Sequence, residues 1–298
     1  GSEMCIRDSM KTKEQLIKVF EEVIEDIISR EYEYKDNYIE FPETDRLIYE
    51  SKMYKSIQKG NNKPKFQTPL KIYVQNIDTF EKAKELGSEC AVLNMASSKR
   101  PGGGVETGSR AQEEELCRRS NLLLSLYLYS PEKWDEYFGD YYSGKVLNDF
   151  SYPIPVYGGI YSPGVCVYRK PGTYETVGNY FKCNVISVAG VVRPDIDKNT
   201  GEMMKKYVPV VKGKIRTILR IALDNNHTKL VLGALGCGAF KNPPSHVARL
   251  FKEVLEEPEF IGAFEEICFA ILDDGNSGRD HNPNGNLKPF ADVFGEKI

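Results

Sequence analysis

Apolar positions are spaced unevenly along the chain, and the spacing divides it in two. Near the start, Leu16, Phe20, Val23 and Ile27 recur at helical intervals, with Ile17, Ile24 and Ile28 beside them. Thr12-Lys13-Glu14-Gln15 supplies a capping box for that helix. Its polar face is mixed and acidic, so the stripe is expected to dock on a core and not on a membrane. Residues 31–69 lose this periodicity and are rich in Tyr, Asn and Lys. They read as an extended connector with room for one short strand.

From residue 70 onwards, short apolar runs alternate with amphipathic stripes. Strands are expected at 71–75, 90–95, 184–190, 229–233 and 267–272. Helices are expected from the Asp78 cap to Leu86, and at 112–129, 208–226 and 245–256. Residues 131–150 are aromatic and polar and suggest a short helix and a loop. The runs 159–162 and 165–168 read as a hairpin around Pro163-Gly164. Apolar strands alternating with helices imply an α/β domain whose mixed, largely parallel sheet is covered by helices on both faces. Ligands of such sheets bind at the carboxyl ends of the strands. The expected organisation is a foreign or tag-derived segment at 1–9, an N-terminal helix and connector packed on the core at 10–69, and one domain at 70–298.

Composition narrows the classes. The chain has 298 residues, 41% of them hydrophobic, enough for a sizeable core. Its net charge of −3 gives no general basic surface for nucleic acid. The seven cysteines, Cys5, Cys90, Cys117, Cys166, Cys183, Cys237 and Cys268, form no CxxC pair and no metal spacing. Scattered thiols suggest a reduced, cytoplasmic protein. No apolar run approaches the length of a membrane span.

Chemistry concentrates in one stretch, 101–115. Gly102-Gly103-Gly104 leaves the apolar run ending at Met95, and Gln112-Glu113-Glu114-Glu115 opens a helix. Glycine lets a ligand approach the main chain. No Gly-Lys-Ser/Thr follows, which excludes a Walker A loop, and the third glycine of a dinucleotide fingerprint would fall at Thr107. The apolar stripe of the helix, through Leu116, Cys117, Ser120, Leu123, Leu124 and Tyr127, extends backwards onto Gln112 and Glu113. A buried amide and carboxylate need partners, and a polar ligand is one solution. The other is that Glu113, Glu114 and Glu115 favour the positive end of the helix and pair with Arg118 and Arg119. A second glycine loop, 233–243, follows the strand at 229–233 and precedes a helix. It is either an anion nest or a tight turn.

Three glycines, a short spacer and Gln-Glu-Glu resemble the signature of poly(ADP-ribose) glycohydrolases. Over roughly 70–272, the order of strands and loops resembles the macrodomain fold in its bacterial-type glycohydrolase version. The resemblance implies hydrolysis of ribose–ribose bonds in poly(ADP-ribose), with exo attack and release of ADP-ribose. Glu114 would be the general acid/base and Glu113 would contact ribose hydroxyls. That role requires Glu114 to start protonated although a helix N-terminus favours its ionised form. Asn94, Gly102, Gly103, Gly104 and Gln112 would bind substrate. Gly233, Gly236, Cys237, Gly238, Ala239 and Phe240 would hold the diphosphate, with Phe240 against the distal ribose or adenine. The segment Tyr161-Ser162-Pro163-Gly164-Val165 is similar to another family segment near the ligand, and Ser187 and Ala189 are weaker lining candidates. No metal, cofactor or membrane is implied; Asp273-Asp274 reads as a solvated loop. His227, His246 and His281 are expected at the surface or at caps. Two alternatives share the same pocket: a hydrolase of mono-ADP-ribose on protein or nucleic acid, and a non-catalytic ADP-ribose reader.

Overall fold

The computed structural model describes residues 11–42, 44–60, 65–142, 151–272 and 279–297. The segment 1–9, most of the loop after the helix in 131–150, and Asp273-Asp274 lie outside the described residues.

Helix α1 (Lys13–Ser29) starts at its capping box: Thr12 Oγ1 accepts from Gln15 N, and Gln15 Oε1 accepts from Thr12 N at 2.7 Å. Its stripe is buried through Leu16, Val19, Phe20, Val23, Ile24 and Ile27. Instead of a connector there follow a hairpin, β1 (Glu31–Tyr34) and β2 (Asn37–Glu40), then α2 (Thr44–Glu50) and β3 (Lys52–Tyr54). The hairpin escapes sequence reading because Lys35 and Asp36 adopt the positive φ that usually announces itself as Asn-Gly.

The expected alternation then begins with β4 (Lys71–Gln75), α3 (Thr79–Leu86) and β5 (Ala91–Ala96). Asp78 caps α3, accepting from Phe80 N and Glu81 N. The helix expected at 112–129 is two helices, α4 (Gln112–Arg119) and α5 (Leu122–Tyr127). Helix α6 (Pro131–Tyr137) follows. The break between α4 and α5 has a cause in the sheet. Ser120 is extended and bridges Val167, while Asn121 exchanges bonds with Cys166 through its N–H (3.2 Å) and its Oδ1 (2.9 Å).

The expected hairpin at 159–168 is one long strand, β6 (Gly159–Arg169). Pro163-Gly164 sits in a register shift between Ser162 and Val165, a bulge that accommodates proline without turning the chain. Strand β7 (Thr176–Ala189) starts earlier than expected because its first half is polar and half-exposed. Then come α7 (Val208–Asp224), β8 (Lys229–Leu232), α8 (Pro244–Leu255), β9 (Glu266–Ala270) and α9 (Leu287–Phe294).

Seven strands form one sheet in the order β3-β6-β7-β5-β8-β9-β4. Strands β7, β5, β8, β9 and β4 run parallel, and β6 is antiparallel to both β3 and β7. The fold is thus a mixed, largely parallel sheet with helices on both faces. Alternate residues of β5 divide between two cores: Val92 and Ala96 join the one built from α1 to α6, and Ala91 and Leu93 the one built from α7 to α9. Strand β3 extends the main sheet, so the N-terminal region is structurally continuous with it. The tail also joins: Val74 N donates to Gly295 O and Lys297 N to Val74 O, covering the β4 edge.

One detail of the sheet positions the site. β5 pairs with β7 along its length, from Ala91 to Ala96, but with β8 only at Ala91 and Val92. Beyond Val92 the two strands part. The chain leaves β5 towards one glycine loop and β8 towards the other, so both flank the resulting crevice.

Candidate active site

The crevice opens into a cavity of about 570 Å³, within the usual range for a nucleotide-sized ligand. Gly103, Gln112, Glu113, Glu114, Gly236, Gly238, Ala239 and Phe240 line it. Of the other expected site residues, Asn94, Gly102, Gly104, Gly233 and Cys237 are not among those that line it.

Gln112 begins α4 and bonds the open edge of β5. Its Oε1 accepts from Met95 N at 2.8 Å and its Nε2 donates to Leu93 O at 2.7 Å. These groups lie just past the last residue that β8 reaches, so the Gln112 amide replaces a missing strand partner. The N-terminus of α4 is thereby fastened to β5.

Glu113 turns towards the sheet. Its Oε2 accepts from Ser97 N at 2.6 Å and its Oε1 from Asn94 Nδ2 at 3.4 Å. Asn94 is fully buried and also donates to Ser187 Oγ at 3.0 Å, while its Oδ1 is buried without a partner. Its observed partners are Glu113 and Ser187. Burial, reinforced by the neighbouring Glu114 carboxylate, pushes the Glu113 carboxyl up to about 8.

Glu114 turns towards the glycine loop. Its Oε1 accepts from Gly104 N at 2.8 Å and its Oε2 from Ala111 N at 2.9 Å. Gly102 and Gly103 have positive φ, +74° and +63°, and a Cβ on Gly103 would lie 2.5 Å from Glu114 Oε1. Glycine is required there by conformation and by space. The carboxylate meets the cavity across bare main chain. Gly102 packs against Leu123 instead, and Gly104 against Ser109.

The pairing expected between Glu115 and Arg119 does not form. The Tyr174 hydroxyl donates to Glu115, and Arg119 pairs with Asp78 at 2.8 Å and Glu81 at 3.3 Å. The break after Arg119 and its ion pairs with the cap and first turn of α3 redirect these side chains.

The second loop is held from behind. Gly236 has φ +73°, and a Cβ there would meet Asn242 Nδ2 at 2.5 Å. Asn242 Nδ2 donates to Val191 O and Gly236 O, tying the loop to the end of β7. Gly238 faces open space, whereas Gly233 sits over Met95. Cys237 is fully buried, and burial raises its thiol far above the ordinary range. Its carbonyl contacts His281 Nε2 at 2.9 Å. No carboxylate occupies the first turn of α8, just past this loop.

Sequence reading missed several lining residues. Ile77, Asp78 and Thr79 come from the β4–α3 turn, Ser97 from the loop after β5, and Arg279 and Asn286 from the C-terminal segment. The Asp78 capping signal was legible, but nothing in it pointed to a cavity. His227 and His246 are buried, against expectation: His227 contacts the Tyr161 hydroxyl and Glu89 O, and His246 Nδ1 accepts from Met203 N. Burial holds both below the usual histidine value. Among the described residues, no group of three or more His, Cys, Asp or Glu side chains could hold a metal ion, and no helix is long and apolar enough to cross a membrane.

The family model "microbial-type PARG, catalytic domain", for poly(ADP-ribose) glycohydrolase, matches residues 21–170. No curated protein sequence matches. Among solved structures, the poly(ADP-ribose) glycohydrolase of Deinococcus radiodurans in complex with ADP-ribose is similar at 30% identity, over 86% of this chain and 98% of that one, with a TM-score of 0.63. The glycohydrolase of Thermomonospora curvata shares the fold at a TM-score of 0.72 and 24% identity, over 94% of this chain and 100% of that one. The same enzyme bound to the inhibitor ADP-HPD superposes at a TM-score of 0.71.

Proposed function

The chain belongs to the microbial-type poly(ADP-ribose) glycohydrolase family, and from that premise we propose that it removes ADP-ribose from the end of poly(ADP-ribose) with Glu114 as general acid/base. One observation carries the catalytic assignment. Glu114 is clamped by two main-chain N–H groups and opens to the cavity over Gly103, where a Cβ would collide with it. A single ADP-ribose unit suits a cavity of about 570 Å³, which supports attack at the chain terminus.

The two carboxyls divide the work. At neutral pH Glu113 is largely protonated, since burial pushes its carboxyl up to about 8. A neutral Glu113 faces Asn94 and Ser97 and suits ribose hydroxyls, to which it can donate as well as accept. When the bond between the anomeric carbon and the ribose oxygen breaks, its electron pair stays on the leaving oxygen. Glu114 must enter the step protonated; it gives that proton to the oxygen and becomes a carboxylate. A water then adds to the oxocarbenium-like carbon, and its proton returns to Glu114. The second glycine loop, through Gly238, Ala239 and Phe240 at the cavity, provides N–H groups for the diphosphate. The buried free thiols of Cys90, Cys117, Cys166, Cys183, Cys237 and Cys268 support action in the reducing cytoplasm.

The test is product analysis with poly(ADP-ribose), beside mono-ADP-ribosylated protein and DNA. Free ADP-ribose from polymer is expected, with at least a hundredfold loss in Glu114→Gln and ADP-ribose affinity kept within about an order of magnitude. Oligomers as first products would replace exo attack by internal attack. Release only from a mono-modified acceptor would move the substrate, and binding without release would make the protein a reader.

A further inference from the structure

We propose that Arg118 is a positioning residue for the glycine loop, and that through it the N-terminal helix belongs to the catalytic apparatus. The inference rests on the assignment of Glu114 above.

Glu114 and Arg118 lie one turn apart on the same face of α4. They grip successive residues of the loop. Glu114 Oε1 takes the N–H of Gly104 at 2.8 Å, and Arg118 Nη2 donates to Val105 O at 3.2 Å. Arg118 also reaches outwards: its Nε donates to Leu16 O in α1 at 3.3 Å. One guanidinium therefore fastens the catalytic helix, the glycine loop and α1 to one another. A second contact closes α1 on the same loop. Gly108, at φ +73°, lies so close that a Cβ would stand 2.7 Å from Lys13 O.

A filler for this part of the core would be cheaper as leucine or methionine. Arg118 is fully buried, and no ion pair joins it among the described residues. Its third nitrogen, Nη1, is buried without a partner near the Tyr174 hydroxyl. Burying such a charge costs several kcal/mol. What the guanidinium adds is a rigid planar fork that holds carbonyls from two segments in a fixed geometry, which a freely rotating ammonium does not impose. The loop needs that restraint. Three adjacent glycines leave its main chain unusually free, and catalysis is lost steeply when reacting groups move by about 1 Å.

The experiment compares wild type, Arg118→Met, Arg118→Lys and Gly108→Ala in the full chain. It reads kcat on poly(ADP-ribose), the Kd for ADP-ribose, and amide hydrogen exchange over 102–108. A positioning role lowers kcat at least about tenfold in Arg118→Met, with a much smaller change in Kd. Exchange at 102–108 accelerates, and lysine fails to restore either readout. Gly108→Ala pushes α1 from the loop on its other side and gives the same pattern in milder form. Should Arg118→Met not fold, Gly108→Ala decides by the same measurements. A folded Arg118→Met within twofold of wild-type kcat, or unchanged exchange over 102–108, overturns the proposal. Wild type that releases nothing from polymer would defeat the glycohydrolase reading instead, and exchange would still report whether Arg118 restrains the loop.

Discussion

Glu113 and Glu114 are neighbours in sequence and occupy different surroundings. The stripe of α4 marked Gln112 and Glu113 as facing inwards, and the triple glycine marked Glu114. The burial that pushes Glu113 up comes with its contacts to Asn94 and Ser97, which are not visible in the run itself. The raised carboxyl is Glu113, about 8 against an ordinary 4.5. Its cost to the fold is absent below the unfolded value, grows as pH rises from about 4.5, and is complete above about 8. Glu113→Gln should therefore stabilise the protein by on the order of 1 kcal/mol or more at pH 8, and by nothing at pH 4. Denaturant titrations across that range check this; a gain independent of pH would assign it to packing. The same proton makes kcat fall as pH rises past about 8 in wild type, which a pH–rate profile measures. Gly103→Ala places a methyl against Glu114 Oε1 at a positive φ. It should cost about 1 kcal/mol of stability and a far larger share of activity.

At the scale of elements, strands and helices with a strong period were legible: β4, α3, β5, α7, β8, α8 and β9. Those bent by tertiary contacts were not. Ser120 and Asn121 fit a continuous helical stripe, yet they pair with β6 and split the helix. Gln112 shows how much α4 depends on the sheet. It read as a ligand contact, and its amide is occupied by Met95 N and Leu93 O. Gln112→Leu would strand both groups where β8 has turned away. A loss of about 1–3 kcal/mol is expected, with kcat falling because α4 loses its hold on β5. Thermal melts beside steady-state rates test this; a lower kcat with an unchanged melt would return Gln112 to ligand binding.

For the whole molecule, the sequence suggested a core from residue 70 with an extension before it. The glycine loops and carboxylates were legible because glycine and charge stand out against apolar strands. The role of residues 11–54 was not, since it depends on partners distant in sequence: Arg169 with Glu22 and Asp26, the Tyr142 hydroxyl with Ile27 O, and β3 with β6. Removing 11–30 would uncover the surface against which six apolar side chains of α1 are buried. That is on the order of 10 kcal/mol, comparable to the net stability of a domain. Such a truncation should be insoluble and not a working minimal enzyme, which expression and circular dichroism would show.

The buried thiols give this architecture a built-in clock. Cys117 lies under the triple glycine and Cys237 within the second loop, both shielded from solvent. An alkylating reagent can reach either one only while its cover is open, so labelling rates time the opening of each loop separately, without an introduced probe. If ADP-ribose bridges the two loops, it will slow both clocks together; if it grips one, only that clock will slow.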